Sequence, residues 1–97
     1  MLKLNLRFII EPSTQVDPHR AQHIEWIEKY FKSNDFIMAG PRRGKNGGVI
    51  LSQSMDKNKL MKILEEDSFV KENLVEMQIV DFGAPLTSET FKVFREM

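Results

Sequence analysis

Residues 35–51 read DFIMAGPRRGKNGGVIL, which is two short apolar runs separated by a turn. The first run covers residues 36–39 and the second covers residues 49–51. The segment between them contains glycine, proline and basic residues, which end a strand and favour a loop. Two apolar runs joined by a loop of this length predict a β-hairpin in the middle of the chain.

A helix is predicted on each side of this hairpin. Before it, residues 17–34 carry apolar side chains at spacings of three and four, and Asp17 is a suitable N-cap followed by proline. After it, Asp56 is the expected N-cap of a second amphipathic helix that ends near Asp67. Each helix has one apolar stripe, so both are expected to pack on the same face of a sheet.

Two further strands are predicted outside the helices. Residues 2–10 and residues 75–79 alternate apolar and polar side chains, and the second of these strands stops at Gly83. The order β-α-β-β-α-β predicts an α+β protein with the ferredoxin-like fold, a four-stranded antiparallel sheet with two helices on one face. We expect a single domain over residues 1–97, with a core over 1–83 and a helical extension over 84–97.

The extension is predicted to contain a short helix that docks on the core. Leu86 precedes Thr87, which is a suitable N-cap, and Phe91 lies four residues after the cap. This pattern fits a hydrophobic staple. Phe91 and Phe94 then share a face, so residues 87–95 are expected to form a docked helix.

The sheet face opposite the helices is expected to bind a second copy of the chain. The two hairpin strands carry apolar residues on both faces, so this open face is not fully polar. An uncovered apolar face usually marks an interface, and a symmetric homodimer is the commonest way to cover one. The alternative is that the C-terminal helix folds back and covers the face alone.

Composition argues against several classes of function. The chain has 14 basic and 14 acidic residues, so it lacks the basic excess typical of proteins that bind nucleic acid. It has no cysteine, which excludes disulfides and thiol nucleophiles. The sequence shows no signal-peptide pattern, no run of about 20 apolar residues and no basic amphipathic helix. We therefore expect a cytoplasmic protein with no nucleic-acid and no membrane partner.

No metal and no cofactor are expected. The sequence has no Walker loop, no HExxH and no nucleophile elbow. The glycines at positions 44, 47 and 48 do not follow a strand and open a helix, as a dinucleotide fingerprint requires. They are predicted to be turn residues of the hairpin.

His23 is the most informative candidate residue. On a helical wheel it lies at the edge of the buried stripe, where a histidine is half-buried and can face a cleft. His19 and Arg20 in the first turn of helix one, and acidic residues 65–67 at the end of helix two, oppose the helix dipoles. Local rules are most often broken at functional sites. The structural alternatives are a core-edge histidine, solvated charge clusters, and an Asp67 that caps the next turn.

Four segments resemble motifs of the YciI-like (YCII) family. They are HRAQHI at residues 19–24, AGP at residues 39–41, EDSFVK at residues 66–71 and DF at residues 81–82. The resemblance implies a dimeric ferredoxin-like α/β barrel with a cleft beside the sheet. It also implies a catalytic pair of His23 and Asp67, with Arg20 nearby. Ser68 stands where the family has proline, which implies a looser Asp67, and the tail after Gly83 is longer than the family core.

Together these patterns give a set of expected site residues and two candidate functions. We expect His23 and Asp67 to be catalytic. Residues expected to bind substrate are Arg20, His19, Gly40 and Arg42; Arg42 belongs to a basic loop that is either an anion-binding rim or a solvated turn. The expected function is a small-molecule enzyme of the lyase or isomerase type that transfers protons through histidine, with a small anionic or aromatic ligand. The alternative is a non-catalytic ligand-binding or dimerisation module, because one fold hosts many functions.

Overall fold

The hairpin forms one edge of an antiparallel sheet. The computed structural model describes residues 2–9, 13–44 and 46–96, so the predicted strand end at Ile10 lies outside the described residues. The strands are β1 (Leu2–Ile9), β2 (Phe36–Pro41), β3 (Gly48–Gln53) and β4 (Val75–Phe82). They are ordered β2-β3-β1-β4, and every pairing is antiparallel. The predicted α+β class and antiparallel sheet are confirmed, and the arrangement is consistent with the ferredoxin-like fold.

The first helical region is not one continuous helix. It consists of α1 (Ser13–Val16), a 3-10 turn (Asp17–His19) and α2 (Arg20–Lys32). The prediction that Asp17 caps a single helix is therefore wrong. Its carboxylate accepts a hydrogen bond from the Arg20 side chain at 2.6 Å instead of capping backbone amides. The residue before α2 is His19, whose backbone is non-helical with φ −103° and ψ 0°.

The second helical region starts as predicted. Asp56 caps α3 (Lys57–Glu65), because its carboxylate accepts hydrogen bonds from the amides of Asn58 and Lys59 at 2.8 and 3.1 Å. The chain then turns into α4 (Ser68–Lys71). Among the described residues, no helix combines the length and the apolar character that crossing a bilayer requires.

The core lies between the helices and one face of the sheet. Its buried residues are Trp26, Tyr30, Phe36, Ile50, Leu60, Ile63 and Leu64. The Trp26 indole donates a buried hydrogen bond of 2.8 Å to the carbonyl of Ile63, which joins α2 to α3. A second, smaller cluster of Val16, Phe69 and Leu74 packs around α4.

The C-terminal segment does not dock on the core as predicted. Residues Glu89–Glu96 form a 3-10 helix with a kink at Phe91, and Leu86 is 90% exposed. In a 3-10 helix the side chains three residues apart eclipse each other, and the rings of Phe91 and Phe94 stack with centroids 6.1 Å apart. The Thr87 hydroxyl accepts a hydrogen bond from Arg95 at 2.7 Å. No residue of Glu89–Glu96 is buried, and Leu86, Phe91 and Val93 are exposed.

Candidate active site

One face of α2 lines a cavity of about 450 Å³ between the helix and the β2–β3 hairpin. The helix residues repeat at spacings of three and four, which places them on one side of α2. The described lining residues are Arg20, His23, Ile24, Ile27, Glu28, Phe31, Ala39, Gly40, Pro41, Gly47, Gly48, Val49, Ile50, Phe69 and Val75. A mostly apolar cavity of this size with a few polar groups is typical of a small-molecule site.

His23 and Asp67 form a hydrogen bond beside this cavity. Nδ1 of His23 lies 2.7 Å from Oδ1 of Asp67, and the exposed fractions of the two side chains are 17% and 0%. An ionised carboxylate only accepts hydrogen bonds, so we assign the proton to Nδ1, which leaves Nε2 of the neutral ring as an acceptor. No described residue forms a hydrogen bond with Nε2. His23 therefore offers a proton-accepting nitrogen in a residue that lines the cavity.

The His23 ring is also held by an aromatic neighbour. It stacks on Phe69 with centroids 4.0 Å apart and an angle of 6° between the planes, and the Trp26 ring lies 5.8 Å away. The stacking and the Asp67 hydrogen bond restrict different motions of the imidazole. The imidazole is therefore restrained both within the plane of the ring and perpendicular to that plane.

Asp67 makes both of the contacts that the sequence left open: it binds His23 and it caps the next turn. The oxygen that binds His23 also accepts a hydrogen bond from the Phe69 amide at 3.2 Å, and this bond caps α4. Because the cap fixes the carboxylate against the start of α4, it also sets the direction from which the carboxylate meets His23.

Two of the expected substrate-binding residues line the cavity. Gly40 contributes from β2 and Arg20 from the first turn of α2. The Arg20 guanidinium is about half exposed and is bonded to Asp17, so a neighbouring carboxylate partly offsets its charge. Among the described lining residues, Arg20 is therefore a cation that is already paired.

The other two expected substrate-binding residues have different positions. Neither His19 nor Arg42 is among the described residues that line the cavity. Arg42 donates a hydrogen bond to the carbonyl of Asn46 at 3.1 Å, within the hairpin loop. The carbonyl of His19 accepts a hydrogen bond from the hydroxyl of Ser68 at 2.9 Å. This bond ties the segment after Asp67 to the residue directly before α2 and corrects the expectation that the Ser68 position loosens it.

The apolar stripe from which α2 was predicted both packs and lines the cavity. Ile27 and Phe31 pack against the core and also line the cavity, whereas Ile24 lines the cavity and is exposed. Periodicity shows which face of a helix is apolar, but it does not show whether protein or ligand covers that face. The available signal was the position of Ile24 directly after His23. The stacking of Phe69 on His23 had no signal in the sequence beyond its proximity to Asp67.

A charged cluster lies next to Asp67 in the chain. Glu66 accepts hydrogen bonds from the Lys29 ammonium at 2.7 Å and from the Tyr30 hydroxyl. The hydrogen bonds from Lys29 and then Tyr30 lower the pKa of Glu66 below its usual value of 4.5. The pKa of Tyr30 is raised, chiefly by burial and then by Glu66, and the Glu66 hydrogen bond raises the pKa of Lys29. These contacts fasten the end of α3 to the last turns of α2.

Comparison with known proteins places this chain in a family. The sequence profile of the YCII-related domain matches residues 5–83. The chain belongs to this family. No curated protein sequence matches it. Among solved structures, it is similar to 5-chloro-2-hydroxyhydroquinone dehydrochlorinase (TftG) from Burkholderia phenoliruptrix AC1100 in complex with 2,5-dihydroxybenzoquinone. That match has a TM-score of 0.73 and 20% sequence identity, and it covers 84% of this chain and 93% of the other. At this identity the likeness shows that this YCII-related domain shares the fold of the dehydrochlorinase.

The described part of this YCII-related domain was also searched for metal ligands. It holds no group of three or more histidine, cysteine, aspartate or glutamate residues that could bind a metal ion. The described lining residues with titratable side chains are Arg20, His23 and Glu28, and His23 is bonded to Asp67.

Proposed function

We propose that this YCII-related protein is a small-molecule enzyme of the lyase or isomerase type, with His23 as general base and acid and Asp67 as its partner. The observation that carries the proposal is the 2.7 Å hydrogen bond between Nδ1 of His23 and the buried Asp67 carboxylate, at a cavity that His23 lines. Asp67 holds the imidazole in one tautomer and stabilises the imidazolium when it forms. This is the supporting role of aspartate in catalytic triads.

The proposed reaction begins with transfer of a proton from substrate to Nε2 of His23. The acidic bond is a C–H next to a carbonyl, or next to a ring hydroxyl in its keto form. As this bond breaks, its electron pair forms a C=C bond, and a leaving group on the neighbouring carbon departs with its own bonding pair. His23 becomes an imidazolium and later releases the proton. In the isomerase version the proton returns to a different atom and nothing leaves.

The shape and polarity of the cavity favour a planar, weakly polar substrate. Ile24, Ile27 and Phe31 provide an apolar wall along α2, and the backbone of the hairpin provides the wall opposite. The dehydrochlorinase of similar fold binds 2,5-dihydroxybenzoquinone, which is a planar ring with oxygen substituents. We extend this class of compound to the present chain: a hydroxylated aromatic or quinonoid ring, with halide as one candidate leaving group.

We further propose that the protein acts as a homodimer through the open face of the sheet. Ile50 and Met77 pack in the core. Successive side chains of a strand point to opposite faces of the sheet, so the residues adjacent to Ile50 in β3 and to Met77 in β4 face away from the helices. Met38 pairs with Leu51 across β2 and β3, and Val80 lies in the same row of the sheet on β4. Met38 and Val80 are exposed in one chain. A second copy would cover this apolar row.

A specific observation supports the alternative function, a non-catalytic ligand-binding module. Asp67 also caps α4 through the Phe69 amide, and a fully buried carboxylate with a structural role needs no catalytic explanation. In that case the cavity binds a ligand and His23 contributes packing and one hydrogen bond. The two functions differ in whether turnover depends on His23.

The experiment is a turnover assay with a panel of chlorinated and non-halogenated hydroxyhydroquinones, in which chloride release and ring absorbance are followed. His23→Gln is the test variant, and His19→Gln is the matched control because the chain has two histidines and His19 is not among the described lining residues. Loss of a general base typically reduces rate by roughly 10²–10⁴-fold. We expect that loss for His23→Gln and none for His19→Gln.

Two results would contradict the enzymatic proposal. Equal turnover by wild type and His23→Gln would remove His23 from the chemistry. Thermal stabilisation by the ring compounds without turnover of any of them would instead favour the ligand-binding module, because a ligand at 100 times its dissociation constant stabilises by roughly 2.7 kcal/mol whether or not it reacts.

A further inference from the structure

One face of α2 makes a series of polar contacts with the corner between α3 and α4, residues 63–68. The α2 side chains that make these contacts lie at positions 23, 26 and 30, which are spaced by three and four residues and therefore lie on one face, and His19, directly before α2, adds its backbone carbonyl. The contacts are His19 carbonyl to Ser68 hydroxyl at 2.9 Å, His23 to Asp67 at 2.7 Å, Trp26 indole to Ile63 carbonyl at 2.8 Å, and Tyr30 hydroxyl to Glu66. The His23–Asp67 pair thus lies inside a series of attachments between the two elements.

Ser68 makes the attachment directly after Asp67 in the chain, and Glu66 makes the one directly before it. It is the first residue of α4 and its side chain is buried. Serine near a helix start usually bonds to nearby backbone, yet this hydroxyl donates to the carbonyl of His19, 49 residues away in the sequence. A helix of four residues such as α4 has little stability of its own. Its orientation on α2 must come from contacts such as this one.

We infer that Ser68 is a positioning residue for the His23–Asp67 pair, an inference that rests on the proposed function of that pair. Asp67 has an extended backbone (φ −68°, ψ 130°) between α3 and α4, so a rotation there would swing its carboxylate relative to α2. The Ser68 bond restrains this rotation from the α4 side. It attaches to the backbone four residues before His23, directly before α2 begins, so it restrains the carboxylate relative to the imidazole.

The test uses Ser68→Ala in the full chain, with two comparison variants. Ser68→Thr keeps the hydroxyl and is the rescue variant. Ser33→Ala is the control, because the Ser33 hydroxyl also forms a contact beside α2 but at the opposite end of the helix, where it lies 2.8 Å from the Asp35 carboxylate and 3.2 Å from the carbonyl of Tyr30. The readouts are the exchange rate of the His23 Nδ1 proton, measured by NMR, and kcat on the best compound of the panel.

For Ser68→Ala we expect the Nδ1 proton to exchange roughly two- to tenfold faster than in wild type, the range that corresponds to loss of one hydrogen bond. We expect kcat to fall by a similar factor with KM little changed, because the cavity walls are untouched. Ser68→Thr should restore both values, and Ser33→Ala should leave both at the wild-type level while lowering thermal stability.

The inference is overturned if folded Ser68→Ala keeps the wild-type exchange rate, or if Ser68→Thr behaves like Ser68→Ala. Should Ser68→Ala fail to fold, the rescue variant still decides, since a Thr variant with altered exchange contradicts a role for the hydroxyl. The exchange measurement needs no substrate. Faster exchange in Ser68→Ala without turnover by any variant would therefore uphold the positioning role of Ser68 and refute the proposed enzyme. Unchanged exchange in Ser68→Ala, together with loss of turnover in His23→Gln, would refute the positioning role and uphold the enzyme.

Discussion

The Phe69 amide donates a hydrogen bond of 3.2 Å to the same Asp67 oxygen that lies 2.7 Å from His23. One carboxylate therefore starts a helix and orients an imidazole. The two roles can be separated by mutation, because asparagine is as good an N-cap as aspartate but carries no charge.

The first prediction concerns Asp67. Asp67→Asn should fold with nearly the wild-type free energy of unfolding and should lose most of the turnover, because the cap remains while the charge that stabilises the imidazolium is removed. Asp67→Ala loses the cap as well and should be destabilised by a further 0.5–2 kcal/mol, roughly. Chemical denaturation and the chloride-release assay measure the two effects. Wild-type turnover in folded Asp67→Asn would show that the charge has no part in the reaction.

The second prediction concerns the width of the cavity. A Cβ atom added at Gly40 would have no atom within 4 Å, so Gly40→Ala should fold normally and gain about 0.4–1 kcal/mol from reduced flexibility of the unfolded chain. The added methyl group lies at the cavity wall and should weaken binding of ring compounds, most of all those with bulky substituents. Isothermal titration calorimetry measures the change in affinity.

Gly44→Ala is the matched control for the Gly40 variant. Gly44 also has open space around it, but its φ of +68° lies in the left-handed region, so an alanine there should destabilise the fold. Gly44 is not among the described lining residues, and its variant should bind ring compounds with wild-type affinity. Weaker binding by Gly44→Ala, or unchanged binding by Gly40→Ala, would contradict the placement of the ligand.

The third prediction is a pH dependence of stability that arises from Glu66. Hydrogen bonds from Lys29 and Tyr30 lower the pKa of Glu66 in the folded chain below 4.5. A lowered pKa means that the contribution is fully present above about pH 4.5 and is lost as the pH falls through the folded-state value. Because the Glu66 side chain is 43% exposed, the contribution should be about 1 kcal/mol or less.

Denaturation of Glu66→Gln between pH 3 and 7 tests this dependence. The difference in unfolding free energy between wild type and Glu66→Gln should be constant at neutral pH and should shrink toward acid pH. Glu65→Gln is the matched control, since Glu65 is exposed and precedes Glu66 on α3. A difference that does not vary with pH would mean that the charge of Glu66 contributes nothing to folding.

The fourth prediction concerns assembly. Sedimentation equilibrium at micromolar concentration should give twice the chain mass of 11.3 kDa, because the open sheet face presents an apolar row that includes Met38 and Val80. Val80→Asp places a charge in that row and should give a monomer. Val93→Asp, at a more exposed residue of the C-terminal segment, should remain dimeric. A dimer lost only in Val93→Asp would move the interface to the C-terminal segment.

The sequence predicted the elements better than it predicted their contacts. The two apolar runs of the hairpin and the Asp56 cap depend on local chemistry, and both were found. The start of α2 was wrong because Asp17 binds the Arg20 side chain rather than backbone amides. The C-terminal segment is helical as predicted, but it is a 3-10 helix that does not dock, and Phe91 stacks on Phe94 while remaining half exposed, an arrangement that spacing alone cannot reveal.

The candidate site was predictable only in part. The edge position of His23 and the dipole-opposing charges marked candidate residues, but the pairing of His23 with Asp67 was implied by the resemblance to the YCII family, and the fold brings the two residues together. The contacts of Phe69 and Ser68 with α2 depend on how α4 sits on that helix. Such an orientation is set by tertiary packing, and no local pattern in residues 66–71 encodes it.

The most direct test of the central claim is long-range ¹H–¹⁵N NMR of His23, with and without 2,5-dihydroxybenzoquinone as the probe. With the imidazole neutral, we expect the proton on Nδ1 and a bare Nε2 whose resonance moves when the probe binds; the second histidine of the chain, His19, serves as internal reference. A proton on Nε2 in the free protein, or an Nε2 resonance that stays unchanged at saturating probe, would contradict the assignment of His23 as the base of this cavity.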